Sequence, residues 1–479
     1  MSDVKQDERP PDETSGDMPA KPPEDQDAFD ELYGLDDETV DACARAVDEG
    51  EPAERLRELV DDLHAADLAD LLERLTHDQR VGLVGALGED LDYEVFSYLD
   101  YGVRDDLVDV LTVKQLAAIV ADLESDDAVD LLEDLPEERQ QAVLRAVPAA
   151  DRAFYERSLS YPEESAGRLM RHEVVTIPNF WTVGQTIDYM RDEEIELPDD
   201  FYNIVVVSPA YRPVGLLQLS KLLRARRVVA VSSIMEEEPK LIPGDMDQED
   251  VAFLFRQYGL VEAPVVEESG RLIGVLTVDD VVDVMDEEAE EDMLKLGGVS
   301  ADDFFSDVFS TTRLRFSWLL VNLGTAVVAS LVIALFEDAL SKAVALAVLM
   351  PIVASMGGNA GTQTLTVAVR ALAVNELTAA NAFKIVWKEV LVGGINGLLF
   401  AIIMGVVAWI WFANPVLGAV IAGAMVTNLL IAGLAGTLIP LGIERMGQDP
   451  AVASTVFLTT VTDVVGFFVF LGLASIVLL

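Results

Sequence analysis

Apolar positions along the chain follow three successive patterns. Between Phe29 and about Tyr155 they recur every three or four residues, the spacing of short amphipathic helices. Leu68, Leu71, Leu72 and Leu75 return about sixty positions later as Val129, Leu131, Leu132 and Leu135, inside ADLLERLTHDQR and VDLLEDLPEERQ. A repeat stacked as a small superhelix and a helical bundle both fit this spacing, and the repeat favours the superhelix. From Pro162 strands alternate with helices. Asn203 to Val207 (NIVVV) is a strand, followed by the turn residues SPAYRPVG, a strand around Leu216 and a helix from Ser220. A second round has strands at Pro264 to Val266 and Leu272 to Leu276, a turn at Ser269 and Gly270, and a helix from Val278. Beyond Arg313 come five apolar segments, near Trp318 to Phe336, Ala343 to Ala373, Leu391 to Phe412, Val416 to Gly442 and Val452 to Leu479. Each reaches the roughly 20 residues that cross a bilayer core.

The two strand–helix rounds resemble a tandem pair of CBS domains. In that family a Gly-x-x-Ser/Thr-x-x-Asp element holds the ribose and phosphate of a nucleotide, and Gly274, Thr277 and Asp280 match it. The first round departs from the pattern, with Gly215, Gln218 and Lys221 in those places. Between Asp279 and Asp292 nine of fourteen residues are acidic, while Val281, Val284, Met285, Ala289 and Leu296 keep one apolar side on the helix. Like charges at i, i+3 and i+4 repel unless cations lie between them and a neighbour. A solvated acidic face and a divalent-cation clamp are therefore both open readings of this helix.

Charge sharpens the division. From Arg313 to the end there are seven basic and seven acidic residues, so the whole net charge of −51 lies in the first 312. An acidic load of that size disfavours nucleic acid and anionic membrane surfaces as partners and favours solubility, cations or basic partners. With 9 Lys against 24 Arg it also suggests a salt-adapted organism. The single Cys43 fits a reducing compartment. The first 28 residues are polar and rich in Pro, Asp and Glu; they read as a disordered acidic tail rather than a secretory signal. With the soluble half in the cytoplasm, the inner junctions carry Arg313, Arg315, Arg370, Lys384, Lys388 and Arg445 and the outer ones only Lys342. That obeys the positive-inside rule and puts the C-terminus outside a cell membrane.

The second apolar segment, MPIVASMGGNAGTQTLTVAVR, contains Pro351, three glycines (Gly357, Gly358 and Gly361) and a polar run. Asn359, Gln363 and Thr366 share one helical face, with Arg370 near the inner end. Close helix packing and a polar pathway are the two explanations. The fifth segment carries Thr455, Thr459, Thr462, Asp463 and Gly466 at helical spacing. Asp463 would lie about 16 Å deep at 1.5 Å per residue. No Lys, Arg or His occurs in the middle of any span to neutralise it, so a passing cation, a proton or a hydrogen bond to Asn359 or a Thr must do so. Without Cys, His or Met clusters on these faces, oxygen ligands suit a hard cation such as hydrated Mg²⁺. A twofold dimer would bring two copies of Asp463 to one axis.

The order of an acidic helical domain, a CBS pair, an acidic connecting helix and five spans, with PIVASMGGNAGTQT in the second and TTVTDVVGFF in the fifth, resembles the MgtE family of Mg²⁺ channels. LSYPEESAGRLM, from Leu159 to Met170, resembles that family's entry into its first CBS domain. The resemblance implies a multidomain architecture: an all-α superhelical N-terminal domain (29–160), an α/β CBS pair (161–231 and 232–285), a connecting or plug helix (286–312) and a five-helix transmembrane domain (313–479). It implies a homodimeric, Mg²⁺-selective channel that closes when cytoplasmic Mg²⁺ is plentiful and needs no obligate protein partner. Asp463 would be the pore acid, with Gly357, Gly358, Asn359, Gly361, Thr362, Gln363, Thr459, Thr462 and Gly466 lining the pathway. Asp280, Asp283, Glu288, Glu291, Asp292 and Asp449 would hold regulatory Mg²⁺, and Thr277 with Asp280 would be the nucleotide candidates. The competing readings are an H⁺- or Na⁺-coupled divalent-cation transporter using Asp463, and a membrane-tethered nucleotide sensor. The chain offers no nucleophile with a base, no phosphate loop and no metal-hydrolase spacing, which argues against an enzyme.

Overall fold

The computed structural model describes residues 35–195, 197–198, 201–299, 308–378, 380–452 and 454–478; the expected tail over 1–28 lies outside the described residues. By its internal contacts the chain divides into two bodies, Met1–Leu123 with Asp134–Asp151, and Glu124–Glu133 with Arg152–Leu479.

The first body is all helical. Leu68, Leu71, Leu72 and Leu75 are buried, and Thr76 ends their helix, Ala65–Arg74, by capping the next, His77–Leu87, in a reciprocal box with Gln79. Helix Asp37–Asp48 packs on Ala53–Val60 and His77–Leu87, His77–Leu87 on Tyr101–Val110, and Val113–Asp122 on Glu137–Ala146. Each helix thus touches those one to three places along, which is the pattern of a stacked superhelix. Buried Arg104 pairs with Asp134 at 2.5 Å. The second copy of the leucine stripe, Val129, Leu131 and Leu132, is buried on helix Ser125–Glu133 of the second body.

In the second body two small sheets follow one plan. Strand β1 (Thr176–Pro178) runs parallel to β2 (Asn203–Val207), which pairs antiparallel with β3 (Pro213–Gln218), itself bordered by β4 (Glu236–Glu237). Likewise β5 (Ile242–Pro243) runs parallel to β6 (Glu262–Val266), which is antiparallel to β7 (Leu272–Thr277). NIVVV is buried along its whole length, as a strand covered on both faces requires. Val205, Val207, Leu216, Leu272 and Val275 form one core between the sheets. Glu262 adds a polar tie by accepting the Asn203 backbone N–H at 2.9 Å. Beyond β7 the connecting helix runs unbroken from Val278 to Gly297, across position 285, and Gly298 ends it at φ +72°.

Among the described residues five helices are long and apolar enough to cross a membrane, spanning Thr311–Ala334, Ala345–Ala373, Ala382–Phe412, Pro415–Glu444 and Ser454–Leu478. The fourth is the hub: it packs against the second, third and fifth, and 56% of its apolar window is buried, while the first span packs mainly on the fifth. Despite Pro351 and its glycines the second span is one continuous helix. Pro351 falls in the second turn, where few bonds are lost, and glycines serve close approach instead of a break. At Gly357 a Cβ would lie 2.1 Å from Nδ2 of Asn428 on the fourth span, and at Gly466 on the fifth span 2.9 Å from the same atom. Asn428 is fully buried, and its Nδ2 donates to the Val353 carbonyl at 2.8 Å. One amide thus sets how closely the second and fifth spans approach the fourth.

Gly357→Val drives its branched side chain into Asn428 and should cost about 1–3 kcal/mol by overpacking, read as a lower unfolding temperature in detergent. Gly358→Ala should leave that temperature unchanged, because nothing lies within 4 Å of its Cβ position. Equal effects at the two glycines would contradict the packing. Burial pushes the Glu262 carboxyl up to about 7. The folded chain then holds a proton there that the unfolded chain has released, so stability falls as pH rises from about 4.5 to about 7. Glu262→Gln should remove on the order of 3 kcal/mol of that fall; thermal unfolding at pH 5 and pH 7.5 with an identical loss in both proteins would contradict it.

Candidate ion pathway and acidic regulatory face

The polar residues of the second span divide into two sets by helical phase. Gly357, Gly361 and Thr364 face inward, with Gly361 against Leu458 of the fifth span and Thr364 donating to Glu389 of the third at 3.4 Å. Ser355, Asn359, Thr362, Gln363, Thr366 and Arg370 form an exposed stripe along the opposite side, and Gly358 stands between the two sets with open space at its Cβ position. The fifth span divides in the same way. Thr462 and Gly466 are buried, Thr462 donating to the carbonyls of Leu458 and Thr459 at 3.1 Å each. Thr459, one turn before Asp463, is exposed, and Asp463 is half-buried about nine residues into its helix, or roughly 14 Å at 1.5 Å per residue. Among the described residues no base or hydrogen-bond donor holds the Asp463 carboxylate. Nine residues expected along a pathway are therefore of two kinds. Asn359, Thr362, Gln363, Thr459 and Gly358 lie on open or partly open surface, whereas Gly357, Gly361 and Gly466 are pressed against neighbouring helices and Thr462 is buried with its hydroxyl bonded within its own helix.

Among the buried polar residues of this half that escaped the sequence reading are Asn428 and Glu389. Asn428 was visible only as the one amide in the fourth apolar run. Glu389 is 9% exposed and lies between the Thr364 hydroxyl and Lys388, whose Nζ is 3.4 Å away. Its signal was the Lys-Glu pair at the start of the third span.

The acids of the connecting helix fall into two groups, twelve residues apart from Asp280 to Asp292 and so about 18 Å. At the N-terminal end the Thr277 hydroxyl donates to Asp280, closing a capping box, and Arg171 donates to the other oxygen of Asp280 at 2.6 Å. A Cβ at Gly274 would lie 2.6 Å from the Arg171 carbonyl. All three positions of the nucleotide motif thus have a local structural task. Asp283 is exposed one turn further on. At the C-terminal end, Glu288, Glu291 and Asp292 come together with Asp449 of the loop before the fifth span. Lys295 pairs with Glu291 and reaches Asp449 at 2.9 Å. Gln248 donates to Glu288 at 2.8 Å. Desolvation, then Glu288, Asp292 and Asp247, push Glu249 up to about 7, and desolvation followed by Glu291 raises Glu164. Carboxylates in excess of the one lysine, all with oxygen donors, fit a hard divalent ion at this end. The same end touches the membrane half: Thr455 of the fifth span donates to the Leu296 carbonyl at 3.1 Å, and Leu296 packs with Leu365, Ala451 and Leu458.

Comparison with known proteins agrees with this architecture. The family model MgtE, described as a divalent cation transporter, matches residues 350–473; the MgtE intracellular N domain matches 63–164 and a CBS domain 231–287. The magnesium transporter MgtE of Thermus thermophilus is 31% identical over 450 residues, which cover 93% of this chain and 99% of that protein. That of Bacillus subtilis is 28% identical over 420 residues, covering 88% and 93%. A solved cytosolic domain of the Mg²⁺ channel MgtE in complex with ATP is 31% identical, covers 51% of this chain and 99% of that one, and overlays with a TM-score of 0.47. With the N domain, the CBS fold, the five spans and a relative matched over almost its whole length, the chain belongs to the MgtE family of divalent-cation transporters, as a multi-pass membrane protein with its N-terminal domains in the cytoplasm.

Proposed function

We propose that this protein is a Mg²⁺-selective channel, active as a homodimer, that admits Mg²⁺ and is closed when its acidic soluble half binds cytoplasmic Mg²⁺. The observation that carries the reading is Asp463, a carboxylate deep in the fifth span with no partner among the described residues. Leaving such a group ionised and alone costs about 2.5–3.5 kcal/mol on the insertion scale, and a cation passing along the axis removes that cost. Mg²⁺ sheds water reluctantly, so the pathway has to accept a hydrated ion through outer-shell contacts. The open stripe with Asn359, Thr362 and Gln363, and Thr459 one turn before Asp463, offers amide and hydroxyl groups suited to that task. Two copies about a twofold axis would double the single carboxylate, and the exposed first span leaves surface for a second copy. The magnesium transporters among its relatives favour Mg²⁺ over other hard cations.

We assign Glu288, Glu291, Asp292 and Asp449 to the regulatory set, with Asp283 contributing charge at mid-helix. When bound, Mg²⁺ supplies positive charge that offsets their mutual repulsion. The chain's own part is mechanical: Lys295 to Asp449 and Thr455 to Leu296 fasten the end of the connecting helix to the fifth span, so separation of the acidic faces pulls on the element that bears Asp463. Binding biases the closed state only by as much as that state binds Mg²⁺ more tightly, commonly 1–3 kcal/mol of coupling.

In vesicles containing the purified chain, Asp463→Ala should reduce Mg²⁺ uptake to that of protein-free vesicles; undiminished selective uptake would refute the pore assignment. Asp283→Asn, Glu288→Gln and Glu291→Gln together should preserve uptake and raise the Mg²⁺ concentration needed for inhibition by roughly 5-fold or more. Unchanged inhibition would refute the clamp.

A further inference from the structure

Arg171 follows the short helix Ala166–Leu169, and its backbone is fixed by reciprocal hydrogen bonds to Val275, at 2.8 and 2.9 Å. Its guanidinium is the meeting point of four carboxylates. Nη1 is 2.5 Å from Glu124, Nε 2.8 Å from Asp126, and Nη2 2.9 Å from Asp279 and 2.6 Å from Asp280. Two of these acids lie at the start of helix Ser125–Glu133 and two in the first turn of the connecting helix, so one cation joins two elements far apart in sequence. Around it Glu124, Asp126 and Asp127 bring carboxylate oxygens within 4.8 Å of one another. Asp126 is 8% exposed, and its Oδ1 is buried without a partner. Oxygen donors at that spacing, one of them desolvated and unsatisfied, form the surroundings of a hard cation, and here the chain itself inserts the positive charge.

We propose that Arg171 is a tethered counter-ion standing where a divalent cation would otherwise bind, so that this junction is held together whether or not Mg²⁺ is present. Three nitrogens of the guanidinium are engaged, and the group does not lose its proton in proteins, so it cannot make way for an ion by deprotonating. A divalent ion on the same oxygens would sit within a few ångströms of a fixed positive charge. Asp280 thereby leaves the Mg²⁺-binding set, and sensing is confined to the other end of the connecting helix. The inference concerns the soluble half alone and stands independently of what the membrane half conducts.

The test counts Mn²⁺, used as a paramagnetic probe in place of Mg²⁺, bound per full-length chain in detergent. Arg171→Met should bind one more Mn²⁺ per chain than the native protein, and adding Asp126→Asn to it should abolish the gain. Asp126→Asn alone should leave the native count unchanged. A folded Arg171→Met protein with the native count, or a count lowered by Asp126→Asn alone, would overturn the proposal; the second arm decides even where Arg171→Met fails to fold.

Discussion

An acid without a counter-charge is the constraint on which the rest of the molecule depends. In the membrane it is Asp463, which no basic residue reaches among the described residues. In the soluble half it is the connecting helix, where nine acids in fourteen positions meet the further acids Glu164, Asp247 and Glu249. The chain supplies partial remedies of its own in Arg171 and Lys295, each of which ties the helix to another element. What remains unneutralised at the far end of the helix suits a hard divalent cation, and the proposed channel would meet both needs with the one ion it moves and senses.

The membrane half turns that electrostatic need into geometry through small residues. With the fourth span as hub, glycines on the second and fifth approach Asn428 closely enough that no side chain fits between. Packing at that range is what holds helices together in lipid, where burial of apolar surface gives no drive. It also fixes the rotation of both helices and so decides which polar side chains are left uncovered. The uncovered ones are the exposed stripe of the second span and Thr459 with Asp463 of the fifth.

Much of this was legible in the sequence. NIVVV is β2 residue for residue, the helix predicted from Val278 begins there, and all five spans form. Strand alternation and apolar run length are local signals, which is why they carry so well. Which polar residues of the second and fifth spans are buried was less legible. Periodicity tells which residues share a face but not what the face meets, so Gly357 and Thr462 could not be told from Asn359 and Thr459 until neighbouring helices were in place. Arg171 lies in a stretch with no periodic pattern, more than a hundred positions from Asp279 and Asp280, and nothing short of the fold joins them. The second span has the same lesson: a glycine-rich run that the sequence left open between close packing and a polar pathway presents Gly357 and Gly361 as contact points in its packed setting.

In the proposed channel the ion itself supplies the missing charge at Asp463 and needs no coupled partner. The most direct measurement is the reversal potential of currents through the purified protein in planar bilayers, with a Mg²⁺ gradient and with protons and sodium equal on both sides. The account predicts a current that reverses at the Mg²⁺ equilibrium potential and persists when sodium is removed. A current that vanishes without a proton or sodium gradient, or that reverses with the gradient of either ion, would contradict it.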